Sequence, residues 1–132
     1  MNANNYMTKD QVAQLGEQLA TNYLIHNAWT IIDRNWSCRL GEIDIIAYNG
    51  SLKTLAFVEV RTLIRTSPWR AEDSIRVAKQ KRIARAARLW LSAYHTLRLT
   101  LRFDIIAVTA PSTPTPQIRH YPAAFTPPQL LL

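Results

Sequence analysis

The chain has 132 residues, is 48% hydrophobic and carries a formal net charge of +7, with a pI near 10.1. That is the length of one domain with enough apolar residues for a core, which excludes disorder over most of the chain. A single cysteine, Cys38, excludes an intramolecular disulfide framework and a multi-cysteine zinc site, and the positive balance favours a polyanionic partner, nucleic acid first.

Residues 1–7 read as a loose arm. They lack the basic start and apolar run of a signal peptide. No apolar run approaches the ~20 residues that span a bilayer. The expectation is a cytoplasmic protein with no membrane partner. Thr8-Lys9-Asp10-Gln11 fits a capping box, with Thr8 as N-cap and Gln11 reaching back. Val12, Leu15, Leu19 and Tyr23 follow at helical spacing, and the helix is expected to end near Asn27. Glu17 lies off that stripe, beside Ala13 and Leu24, and spacing alone reads it as a solvated helix acid.

Trp29 to Trp36 is β-branched and aromatic and predicts a strand. Ser37 to Gly41 is a turn, Glu42 to Tyr48 a second strand and Leu52 to Arg61 a third. On the third, Leu55, Phe57, Glu59 and Arg61 share one face, and Ala56, Val58 and Val60 the other, as in a central strand covered on both sides. Acids interrupt these apolar strands, and a buried carboxylate without a partner costs several kcal/mol. Such acids usually have a cation to bind.

The hairpin register decides whether they meet. A two-residue turn at Asn49-Gly50 places Asp44 opposite Leu55, roughly 13 Å along the strand from Glu59. A four-residue loop, Asn49 to Leu52, pairs Tyr48 with Lys53 and makes Asp44 the diagonal neighbour of Glu59, about 7–8 Å away. A shared metal site predicts the longer loop.

Thr62 to Arg70 is a basic loop containing Arg65 and Arg70. Arg76 to about His95 is helical, with Ile83, Ala87, Trp90, Leu91 and Tyr94 as its apolar stripe. Lys81, Arg85 and Arg88 line another face with Lys79 and Arg82 beside it, a row that suits phosphates better than a merely solvated surface in a chain already this basic. Leu97 to Thr109 predicts a fourth strand, Pro111 to Pro116 a connector, and Gln117 to Tyr121 a short edge strand. The tail to Leu132 has little to fix it. The order of elements predicts an α/β sandwich of mixed sheet with helices on both faces.

Glu17, Asp44 and Glu59, with the carbonyl of Val60, make a hard oxygen set suited to Mg²⁺ or Mn²⁺. Such an ion supports phosphodiester hydrolysis, and Arg61 shares the face of Glu59, where it can stabilise developing charge. His26, His95 and His120 lack metal-ligand spacing, and there is no GxxxxGK or GxGxxG.

The run GEIDIIA, FVEVRT, KQKRIARAARLWL, RFDIIAV and HYPAAF, in that order, resembles the YraN family of bacterial proteins. The likeness runs from Gly16-Glu17 to about Phe125. It implies a restriction-endonuclease-like three-layer sandwich, similar to archaeal Holliday-junction resolvases, as a single nuclease-like domain. It further implies a metal-dependent endonuclease acting on DNA, with branched DNA and a homodimer suggested by analogy with resolvases. Asp44 and Glu59 match the family's metal-binding acids, and Glu17 matches the helical acid that completes the site, which reverses the reading from spacing. Gln80 falls at a helix position that often faces such sites. Glu42 and Asp104 match family positions too, and are read as structural acids paired with arginines such as Arg39 or Arg102. Arg61 stands where nucleases of this fold usually carry lysine, and arginine cannot serve as a general base. The alternatives are a non-catalytic nucleic-acid-binding protein with a vestigial nuclease site, and an interaction protein whose basic face serves another partner.

Overall fold

Five strands form one mixed sheet in the order β1-β2-β3-β4-β5, and a helix lies on each face. The elements are α1 (Lys9–His26), β1 (Thr30–Cys38), β2 (Gly41–Asn49), β3 (Thr54–Leu63), α2 (Val77–Ser92), β4 (Thr100–Thr109) and β5 (Gln117–Tyr121). They come from a computed structural model that describes residues 6–64, 75–94 and 98–126. Neighbouring strands are antiparallel except β3 and β4, which run parallel because α2 carries the chain between them. This is the restriction-endonuclease-like arrangement, and no described helix is long and apolar enough to cross a membrane.

The expected capping box is present. Gln11 N–H donates to Thr8 Oγ1 at 3.1 Å, and Thr8 N–H donates to Gln11 Oε1 at 2.9 Å. The buried face of α1 is not the predicted one. Gly16, Glu17, Ala20, Thr21 and Leu24 face the sheet, while Val12, Leu15, Leu19 and Tyr23 flank it half-buried. The reason is the closeness of the packing: a methyl on Gly16 would land on the side chain of Thr62 in β3. Small residues let the helix axis descend, and the larger ones wedge at its sides.

Two cores sandwich the sheet. Ala20, Leu24 and Trp29 pack with Ile45, Ala47, Ala56, Val58, Ile106 and Val108 on the α1 side. Ile83, Ala86, Ala87 and Trp90 pack with Ile46, Leu55, Phe57 and Phe103 on the α2 side. The alternation read along β3 therefore holds, and β3 is a central strand covered on both faces. Each such aliphatic or aromatic side chain contributes about 1.5–3 kcal/mol when fully buried. Tyr94, assigned to the buried stripe of α2, is instead half exposed at 50%, because the helix ends at Ser92; its ring stacks on Trp90 with centroids 4.2 Å apart.

Asp104 is fully buried on β4 and is held by three residues. Arg102 makes two bonds to it, each 2.9 Å; His120 on β5 approaches to 2.8 Å; and Ala123 N–H donates at 2.9 Å. Arg102 also lies over the Trp29 ring, 5.3 Å from its centroid. Burial alone would raise the Asp104 carboxyl, but the bonds from His120, Arg102 and Ala123 hold it below the ordinary carboxylate range. Asp104 is thus the arginine-paired structural acid expected, whereas Glu42 is exposed on β2. The same clamp carries the chain onward: Ala124 N–H donates to the Phe103 carbonyl at 2.9 Å, and Phe125 packs on Phe103 at 5.4 Å, so the chain is fixed to Phe125, and the loose tail expected over 126–132 lies, past residue 126, outside the described residues.

Candidate active site

β2 and β3 pair from Asn49↔Thr54 to Ile45↔Val58. The hairpin loop has four residues, as a shared site requires, but they are Gly50 to Lys53 rather than Asn49 to Leu52. Asn49 stays in the ladder, and its side-chain oxygen closes the loop by accepting Leu52 N–H at 3.1 Å. The one-residue difference matters: continuing the register sets Asp44 directly across from Glu59, not diagonally.

The backbone ladder stops there, and the Asp44 carboxylate takes its place, with Val60 N–H donating to Asp44 Oδ2 at 2.8 Å. A strand residue sends its N–H and C=O to the same edge, so the Val60 carbonyl also lies on the Asp44 side. Strict alternation fails at this point. Ile45 belongs to the α1 core and Ile43, two residues away, to the α2 core. The paired position on β1 is Asn35, whose backbone is left-handed (φ 50). Both β1 and β2 change face here, and the sheet opens at one end.

A cavity of about 310 Å³ fills that opening, lined by Ala13, Glu17, Asp44, Val60, Arg61, Thr62 and Leu63. Close packing at Gly16 delivers Glu17 to it. Glu17 is buried (8% exposed), and its Oε1 accepts from Asn35 Nδ2 at 2.7 Å and from Arg34 Nη2 and Nε at 3.2 and 3.3 Å. Glu59 lies behind Asp44, 7% exposed, with Lys79 Nζ at 2.7 Å and Arg61 Nη1 at 3.9 Å from its Oε1. Desolvation, then the neighbouring charge of Glu59, and further Glu17 and a shared hydrogen bond with Glu59, push the Asp44 carboxyl up to about 7 against the pull of Val60 N–H.

Among the described residues, no three of the His, Cys, Asp and Glu side chains are gathered as a ready metal shell. Glu17 is turned to Arg34 and Asn35, and Glu59 to Lys79 and Arg61. The donor set nevertheless fits a hard divalent cation. Carboxylates that oppose one another's ionisation in one small opening are what such a cation would relieve.

The structure thus brings together Glu17, Asp44, Glu59, Val60 and Arg61. It does not bring Gln80 to the cavity: that side chain donates to the Ile75 carbonyl at 3.2 Å and closes the turn before α2. Lys79 leaves the basic row for Glu59, while Lys81 is half-buried and Arg82 and Arg85 are exposed along α2. Arg85 and Arg88 border a shallow depression of about 290 Å³ with Leu40, Leu89 and Ser92. Arg65 and Arg70 lie outside the described residues. Sequence reasoning missed Arg34 and Asn35. Their signal was present in the polar Asp33-Arg34-Asn35 run that interrupts the apolar residues of the first strand.

The sequence model of the Uncharacterised protein family UPF0102 matches residues 16–108. A UPF0102 protein of Geobacter metallireducens is 45% identical over 112 residues, covering 83% of this chain and 88% of the relative. One from Geobacter sulfurreducens is 43% identical over 110 residues (83% and 84%), and one from Mycobacterium ulcerans 35% over 114 residues (86% and 93%). The matched span runs from Gly16, at the α1 contact with Thr62, through every acid of the cavity.

Proposed function

The chain belongs to the UPF0102 family, the YraN family of the motif resemblance, and on that premise we propose that it is a divalent-metal-dependent endonuclease acting on DNA. The observation that carries the reading is the meeting of Asp44, Glu59 and Glu17 where β2 and β3 part, with Asp44 pushed up to about 7 by burial and then by its acidic neighbours. Asp44, Glu59 and the Val60 carbonyl would hold Mg²⁺ or Mn²⁺, and Glu17 would complete the set. When bound, such an ion supplies positive charge to a phosphate and acidity to a water.

The chain's own groups do the rest. Val60 N–H fixes one oxygen of Asp44, and Arg34 and Asn35 fix Glu17, so the acids are held before substrate arrives. Arg61 sets a permanent positive charge at the cavity wall, suited to the extra charge of a phosphorane. Along α2, Lys81, Arg82, Arg85 and Arg88 extend about 13 Å from the Lys79 position, a strip able to track a nucleic-acid backbone. Branched DNA and a dimer of this chain remain the expectations drawn from resolvase analogy.

A second reading, a nucleic-acid-binding protein with a vestigial site, is favoured by Arg61 and by two cations already resting on Glu59. One experiment separates them: incubation with linear, single-stranded, flap and four-way-junction DNA in Mg²⁺, Mn²⁺ or EDTA, with Glu59→Gln alongside. The nuclease reading expects metal-dependent product that the variant loses. Salt-sensitive binding of the same DNAs with no product under any metal supports the second reading instead.

A further inference from the structure

Lys79 does not stand where a phosphate-facing helix lysine should. Its ammonium is 2.7 Å from Glu59 Oε1, a carboxylate whose side chain is only 7% exposed, whereas Arg61 comes no nearer that oxygen than 3.9 Å. Its place in the helix is unfavourable on local grounds. Lys79 occupies the first turn of α2, which contains no acid, and the N-cap Arg76 makes no side-chain capping bond. A cation there opposes the positive end of the helix dipole. The compensating anion is Glu59 of β3, on the strand face that α2 covers.

We propose that Lys79 is a resident of the acid site: it neutralises Glu59 as an internal counter-ion and competes with a divalent cation for that carboxylate. The inference rests on the metal-site reading above and deepens it. The two cations on Glu59 then differ in kind. Arg61 extends from the same strand and stays at the cavity wall. Lys79 reaches in from α2 on a flexible stem, about a third in solvent at 36% exposure, and can leave Glu59 without moving the helix. Released, its ammonium would stand next to Glu59, where a phosphodiester drawn to the bound metal would meet it. Lys79 is therefore a positioning residue that links metal occupancy to the charge facing substrate. The sequence row of Lys79, Lys81, Arg82 and Arg85 is split between two jobs.

Mn²⁺ titration calorimetry of the full chain at about 0.15 M salt, where distant charges are screened, tests this. The variants are Lys79→Met, Lys53→Asn and Asp44→Ala, with Lys79→Gln as a second form should the Met variant not fold. Lys53 lies six strand positions, about 20 Å, from Glu59, and its left-handed backbone (φ 48) suits asparagine. We expect Lys79→Met to bind Mn²⁺ about three- to tenfold more tightly than wild type, Lys53→Asn to stay within about twofold, and Asp44→Ala to abolish binding. Mn²⁺ binding seen only in Lys79→Met also supports the competition. Equal or weaker affinity in Lys79→Met, with an intact Asp44-dependent site in wild type, overturns this inference alone. No Asp44-dependent binding in either protein overturns the metal-site reading with it.

Discussion

With burial and the charges of Glu59 and Glu17 opposing its ionisation, Asp44 keeps its proton up to about pH 7 instead of 3.8. The native metal-free protein therefore binds one more proton than the unfolded chain between those values. Stability owed to the protonated form is fully present below about pH 4 and is lost as pH rises through 7. Asp44→Asn removes the charge and keeps an oxygen for Val60 N–H. We expect it to be more stable than wild type at pH 8 by about 1–3 kcal/mol, after allowance for partial exposure, and nearly equal at pH 4. Urea denaturation at the two pH values in EDTA measures this, and an equal gap at both would remove the crowded-carboxylate explanation. Asp104 has the opposite sign. Its carboxyl is held low, so its contribution is present above 3.8 and is lost as pH falls through the lower native value. Asp104→Asn would leave Arg102, only 20% exposed, without its bidentate partner, and we expect a loss of about 3–5 kcal/mol at pH 7 by urea denaturation. A loss under about 1 kcal/mol would show that the clamp is not what holds β5.

At the scale of elements, the approach of α1 to β3 sets where Glu17 sits. Gly16→Ala improves helix propensity by about 1 kcal/mol, yet its methyl meets Thr62. We expect a net destabilisation of about 1–3 kcal/mol from overpacking, recovered in the double variant with Thr62→Ala. Failure of the second substitution to rescue the first would mean that the helix, not the contact, is at fault. This region also marks what could be read from sequence. Period put Asp44 and Glu59 on one face for any even-numbered loop, and the cap at Thr8 and the double-faced alternation of β3 also followed from period and polarity. The loop phase did not, because Asn49 can serve equally as a turn residue or as the last ladder residue, and only the packed sheet decides. The burial of Glu17 escaped helical spacing for a similar reason. Period finds the largest apolar side chains, whereas close packing selects the smallest ones, Gly16 and Ala20. The left-handed Asn35 and the face change it accompanies have no periodic signature at all.

For the molecule as a whole, the acid opening lies where two strands part at one end of the sheet, and the basic strip of α2 runs away from it on the other face. On the proposed function, non-specific affinity and chemistry are separable. Arg85→Ala and Arg88→Ala, both exposed, are expected to lower the slope of log affinity for duplex DNA against log salt by about 1 each, with little change in Mn²⁺ affinity. An unchanged slope would place the DNA on another surface. The measurement that bears most directly on the proposed function is DNA cleavage by wild type and Asp44→Asn, side by side in Mn²⁺ and in EDTA. This variant is expected to be the more stable fold at pH 8, and the urea denaturation above checks that it is folded before its activity is compared. Product from wild type in Mn²⁺ alone, absent with a folded Asp44→Asn, is the predicted result. Equal cleavage by both proteins, or none by wild type on any DNA offered, would contradict it.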